Sequence, residues 1–166
     1  PHRLRIPQNE RTTITVRRIY QFKFYLNASH YVIFDGRRGE THPHTWEFTT
    51  KIQLLKDELV PFKVYEDAIN EVFAPYQNKE LNGLDPFDSI IPSLESLVEV
   101  FGERVKAVVS KLDGVLVEFE GSETPTRSYL LNYEDQLGHV SGEAGSGEVA
   151  TAGSAEVFDR LLGEIR

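Results

Sequence analysis

Three of the chain's five histidines, His30, His42 and His44, fall within the twenty residues from Asn27 to Trp46. His42 and His44 are two apart. The residues that follow alternate Trp46, Phe48, Thr50, Ile52 and Leu54 against Thr45, Glu47, Thr49, Lys51 and Gln53. A period of two marks a half-buried strand whose residues i and i+2 share a face. Both imidazoles then stand on one side of the strand's start, and His30, at the tip of an earlier strand, supplies a third from a neighbour. Three neutral imidazoles with one open position make a catalytic zinc site. The plainer reading of the same residues is a His-x-His pair in a surface loop, with His30 as an ordinary core or surface histidine.

Two strands must deliver these side chains. Residues 11–26 are rich in Thr, Ile, Val, Tyr and Phe, with Tyr20, Phe22, Phe24 and Leu26 on one parity, and the strand is expected to end at Asn27. Arg17-Arg18 reads as a solvated or edge position. After the second strand, Lys56-Asp57-Glu58 makes a turn. A helix is expected from Pro61 to about Tyr76, burying Val64, Ala68, Ile69, Val72, Phe73 and Tyr76. Residues 79–88 form a loop with Asn82-Gly83 and Asp85-Pro86. A second helix follows Pro92, with Ser93 as its cap and Leu94, Leu97, Val98, Phe101, Val105, Val108, Val109 and Leu112 on one stripe. Val115 to Phe119 and Arg127 to Tyr133 then read as a strand pair joined through Gly121 to Pro125. The order is β-β-α-α-β-β, an α+β fold with an antiparallel sheet and two helices on one face.

Composition narrows the function. The 166 residues suit one domain with tails, and the net charge of −8 argues against nucleic acid as a partner. No apolar run is long enough for a bilayer and no signal-peptide pattern is present, so no membrane partner is expected. Without cysteine there is no disulfide framework, thiolate site or cysteine nucleophile, and a cytoplasmic location is expected. Residues 1–10 read as an irregular lead and 11–134 as the domain. Residues 135–154 form an acidic, Gly- and Ser-rich linker. Residues 155–166 read as a helix with Val157, Phe158, Leu161, Leu162 and Ile165 on one stripe and Ser154 as its cap. So short a helix needs a surface. Docking within an oligomer is the first expectation, a separate protein partner the second, and an engineered extension the third.

The run Asn27-Ala28-Ser29-His30, a loop, then His42-Pro43-His44 at the start of an alternating strand resembles the family of 6-pyruvoyl- and 6-carboxy-tetrahydropterin synthases. The resemblance covers roughly Tyr20 to Tyr133. It implies the tunnelling fold, in which four-stranded units join side by side into a barrel around a pore, as trimers or hexamers with active sites between subunits. It also implies zinc on His30, His42 and His44 and a pterin-like ligand. Pro43 stands where the family has glycine. Leu81-Asn82, Pro92-Ser93-Leu94-Glu95 and Glu123-Thr124-Pro125-Thr126 match further landmarks. From the last of these, Glu123 inherits the carboxylate that grips the amino-pyrimidine ring, whose adjacent N–H donors suit a carboxylate's two oxygens. Glu118 and Glu120 compete for that role, and the plainer reading of any one of the three is a solvated strand-end glutamate.

The same resemblance marks what has changed. Arg38 occupies the position of the family's catalytic cysteine, and Gln77 and Asn78 replace its Asp–His pair. Amides do not move protons near neutral pH, and arginine stays charged. His139, Asp35 and Glu40 are the alternative proton carriers. Three functions follow: a zinc lyase or hydrolase of the pterin synthase type, a sensor or carrier that binds a pterin or purine-like ligand without turnover, or an oligomeric scaffold with a structural metal.

Overall fold

Along β1 (Ile19–His30) every second side chain is buried, from Phe22 through Phe24, Leu26 and Ala28 to His30, while Lys23, Tyr25 and Asn27 are exposed. This strand opens a computed structural model that describes residues 16–56 and 59–133. The lead, residues 11–15 of the first strand, Asp57-Glu58 of the turn, the acidic linker and the C-terminal helix lie outside the described residues.

The expected strand end at Asn27 is corrected, because pairing with β4 (His42–Leu54) continues unbroken from Asn27↔Thr45 to His30↔His42. Asn27 and Ser29 favour turns as isolated residues, but cross-strand pairing overrides that preference. At its other end β1 begins only after Arg17-Arg18. Between the long strands a two-residue hairpin, β2 (Ile33–Phe34) and β3 (Arg37–Arg38), turns at Asp35 and Gly36. Both turn residues have positive φ, 47° and 71°, as a primed hairpin turn requires.

Helix α1 (Phe62–Phe73) tightens into a 3₁₀ turn at Ala74–Tyr76. Its buried stripe is Tyr65, Ile69 and Phe73, continued by Tyr76. The expected Val64 is exposed instead, and Tyr65 anchors the first turn by donating its hydroxyl to the Leu112 carbonyl at 3.0 Å. A second 3₁₀ turn, Leu81–Gly83, lies in the loop before α2 (Leu94–Ser110). The Ser93 hydroxyl caps α2 by accepting from the Ser96 amide, and Leu97, Val98, Phe101, Val105 and Val109 are buried.

β5 (Gly114–Thr124) is longer than the expected Val115–Phe119 and turns at Pro125-Thr126 into β6 (Arg127–Asn132). Two bulges interrupt it. Val117 is the extra residue against β4, between the pairs Ile52↔Leu116 and Lys51↔Glu118. Glu123 is the extra residue against β6, between Ser122↔Ser128 and Thr124↔Arg127. The first bulge flips parity, so that Leu116 and Phe119 both reach the core.

The sheet order is β1-β4-β5-β6. One face carries the core together with both helices, centred on Trp46, Phe48, Phe73, Phe101 and Phe119. Gly121 lets α2 lie close, since a Cβ there would run into Val98 and the Phe48 ring. The other face is polar, with Lys23 against Glu47 at 2.6 Å and Lys51 against Glu118 at 2.5 Å. The expected antiparallel sheet with two helices on one face is the observed architecture. Among the described residues no helix is long and apolar enough to cross a membrane.

Candidate metal centre

Cross-strand pairing brings the three histidines together. His30 lies opposite His42, and His44 lies opposite Ala28, two residues along the same face of β4. Their candidate donor nitrogens all fall within 4.8 Å of one another. His30 Nδ1 lies 2.5 Å from the carbonyl of Pro92, at the entry to α2. His42 Nδ1 lies 2.9 Å from the carbonyl of Glu40. A carbonyl only accepts, so each Nδ1 carries a proton, and in the neutral ring the Nε2 then presents a lone pair. Those two Nε2 atoms stand 3.2 Å apart. Two acceptors so placed repel unless a cation sits between them, and backbone carbonyls on the far nitrogens are the usual way metal-binding imidazoles are oriented.

Burial grades across the cluster, with His30 buried, His44 half-buried and His42 exposed. Burial lowers the pKa of His30, against the opposing pull of its Pro92 hydrogen bond. Burial likewise lowers that of His44, against the nearby Glu123 carboxylate. Both shifts favour the neutral ring, the form that binds metal. Trp46 forms the floor, its ring 5.0 Å from those of both His30 and His44.

Of the three glutamates considered for this site, Glu123 is the one that reaches it. Its Oε1 lies 3.1 Å from His44 Nε2 and 3.8 Å from His30 Nε2. The approach to His44 is too oblique for a hydrogen bond, so that buried nitrogen has no hydrogen-bond partner among the described residues. Glu118 is tied to Lys51, and Glu120 lies over the polar sheet face. The bulge at Glu123 decides the matter by re-aiming one side chain, and no periodicity in the sequence reveals it.

An open cleft of about 760 Å³ lies over His30, His42 and Glu123, walled by Ser93, Glu95, Arg127 and Tyr129. A second concavity of about 710 Å³ covers the polar sheet face beside Lys23, Glu47 and Lys51 and contains none of the histidines. His30 and His42 line the first, with His44 beside its Glu123, which makes it the candidate ligand site.

The positions expected to have lost acid–base function are placed elsewhere. Arg38 stacks its guanidinium 3.8 Å above the Tyr31 ring and donates to Thr41 Oγ1 at 3.3 Å. Gln77 lies along the free edge of β1, accepting from the Asn27 amide at 3.0 Å and donating to the Tyr25 carbonyl at 2.7 Å. Asn78, with φ of 59°, gives its backbone amide to the Asn27 carbonyl at 2.6 Å. Asn82 repeats the Gln77 arrangement on Tyr31, accepting from its amide and donating to its carbonyl, each at 2.9 Å. Among the alternative proton carriers, Asp35 sits in the hairpin turn, Glu40 is exposed and offers His42 its backbone carbonyl, and His139 lies outside the described residues. Sequence reasoning missed the carbonyls of Pro92 and Glu40, which no residue type encodes.

A family model described as 6-pyruvoyl tetrahydropterin synthase matches residues 19–134. Among solved structures, the Caenorhabditis elegans 6-pyruvoyl tetrahydropterin synthase superposes with a TM-score of 0.60 at 13% identity, over 70% of this chain and 96% of that one. The Plasmodium falciparum 6-pyruvoyl tetrahydropterin synthase gives 0.53 at 14% identity, over 70% and 98%. At such identities the likeness concerns the fold. No curated protein sequence matches the chain.

Proposed function

Because the chain belongs to the 6-pyruvoyl tetrahydropterin synthase family, we propose that it holds a zinc ion on His30, His42 and His44 and binds a pterin-type ligand in the adjoining cleft. The observation that carries this reading is the pair of Nε2 atoms 3.2 Å apart, each ring held by a backbone carbonyl on its opposite nitrogen. Zinc at such a centre polarises a substrate oxygen or a bound water. Glu123 is the group we assign to the ring's adjacent N–H donors, because its carboxylate lies at the cleft beside the histidines.

The family reaction, a lyase-type conversion of a pterin, also needs a group that moves protons. Gln77 has both ends of its amide engaged by the backbone of β1, and Arg38 lies flat on Tyr31. These placements favour a second reading, a sensor or carrier that binds the ring without turning it over. A purely structural metal in a scaffold is the third, and the open cleft beside the histidines speaks against it.

Assembly into a trimer or hexamer belongs to the same proposal, supported by an open four-stranded sheet with β6 as one outer strand and β1 as the other, whose edge the loop at residues 77–82 covers only from Tyr25 onward. So do a domain over residues 11–134, a linker over 135–154, a C-terminal helix that docks on the oligomer or on a partner protein, and a cytoplasmic location. The experiment that tests the functional reading is a titration of zinc-loaded protein with a pterin and with dihydroneopterin triphosphate, following heat and product together. Binding that is lost in Glu123→Ala supports the assignment. Binding without product selects the carrier, and no binding to the zinc-loaded protein contradicts the ligand.

A further inference from the structure

We propose that in the ligand-free protein Glu123 supplies the metal's fourth ligand, closing the centre until a ring ligand draws the carboxylate away. The inference rests on the metal-centre reading given above and adds regulation of that site. A tetrahedral centre with metal–donor distances of ~2.0–2.2 Å has donor–donor edges of about 3.4 Å. The donor atoms here approach that figure: His30 Nε2 to His42 Nε2 is 3.2 Å, Glu123 Oε1 to His44 Nε2 is 3.1 Å, and Glu123 Oε1 to His30 Nε2 is 3.8 Å. One carboxylate oxygen therefore stands within donor–donor distance of two of the three histidine nitrogens, His44 Nε2 and His30 Nε2, while the donors of the three histidines themselves spread over as much as 4.8 Å.

Two further observations point the same way. The Glu123 side chain is only 20% exposed, and its ion-pair partners among the described residues are His44 and His30. His44 Nε2 is buried and has no hydrogen-bond partner among the described residues. A half-buried carboxylate beside a buried, unpartnered nitrogen is costly unless a cation joins them. The bulge at Glu123 aims the side chain here, and bulges of this kind gather beside functional sites. The carboxylate then serves in sequence, first for the metal and afterwards for the ring.

The test uses the full chain loaded with cobalt(II), whose visible spectrum reports coordination, and azide as a probe of an open position. Wild type is expected to give a four-coordinate spectrum that azide leaves unchanged, and to become azide-responsive once a pterin is added. Glu123→Ala, confirmed as folded by its thermal melt, is expected to respond to azide without a pterin. It should also bind cobalt roughly a hundredfold more weakly, at or beyond the upper end of the ~10–100-fold cost of losing a partner that merely orients a ligand. Glu123→Gln, which keeps the shape, is expected to behave as the alanine variant does. Wild type that responds to azide as readily as Glu123→Ala overturns the proposal while leaving the three-histidine centre standing. Wild type that takes up no cobalt overturns both.

Discussion

The imidazoles of His30, His42 and His44 turn toward one another, whereas the amides of Gln77 and Asn82 turn onto the backbone of β1. Both groups serve the same stretch of strand. His30 uses its core face at the tip, opposite His42 and beside His44 of β4, and the amides use its outer edge from Tyr25 to Tyr31, the residue that follows it. At the histidines, backbone carbonyls orient side chains whose other nitrogens are left for a ligand. At the edge the relation is reversed, with side chains completing the hydrogen bonds of a backbone that has no neighbouring strand. The first region gathers side chains that could hold a metal, and the second secures backbone. Gln77 and Asn78, expected from the resemblance to stand where the family has its proton-transfer pair, fall in the second.

The contrast can be broken most sharply by an optical measurement. Trp46 is the sole tryptophan and packs against two of the three rings. Zinc added to metal-free protein is expected to change its fluorescence to a saturable end point, and His44→Ala to abolish that change while the chain stays folded. An undiminished response in the variant would mean that zinc binds elsewhere.

The amide edge should behave oppositely. Gln77→Ala and Asn82→Ala each remove two hydrogen bonds to β1, and each is expected to cost about 1–2 kcal/mol in urea unfolding. Zinc affinity should stay within about threefold if orientation of the histidines is set by the Pro92 and Glu40 carbonyls. A large loss of zinc affinity in either variant would show that edge and metal site are one unit.

Restoring the family pair sharpens the comparison further. The Gln77→Asp, Asn78→His double variant is expected to lose on the order of 1 kcal/mol, because the shorter carboxylate gives up the donor that reaches Tyr25. Dihydroneopterin triphosphate turnover should not rise, since the Gln77 side chain lies along the β1 edge and Arg38 still occupies the cysteine position. A gain in turnover would show that architecture and chemistry coexist there. The smallest effect belongs to Arg38→Ala, which removes an exposed stack on Tyr31 worth at most ~1 kcal/mol and should leave zinc affinity unchanged.

Much of this was legible in the residues, for identifiable reasons. The alternation from Trp46 to Leu54 and the spacing of His42 and His44 fix a strand face, and the cap at Ser93 and the apolar stripe of α2 follow from helical geometry. What the residues concealed depends on long-range pairing. The bulges at Val117 and Glu123 break the period of two, which is why three glutamates competed for one role. The extension of β1 to His30 depends on partners in β4 and in the loop at residues 77–82. Asp35-Gly36 carries a hairpin signal of its own, but so short a ladder has little hydrophobic pattern to announce it. Arg38 pointed to chemistry by position alone, and the neighbouring Tyr31 ring took it instead.

The central claim, that these three histidines form a metal centre, is tested most directly by zinc content per chain. Wild type and His42→Ala would be purified side by side and dialysed against a weak chelator before elemental analysis. The account predicts about one zinc per wild-type chain and a near-complete loss in the variant, with its thermal melt otherwise retained. Wild type that retains no zinc, or a variant that retains all of it, would contradict the claim.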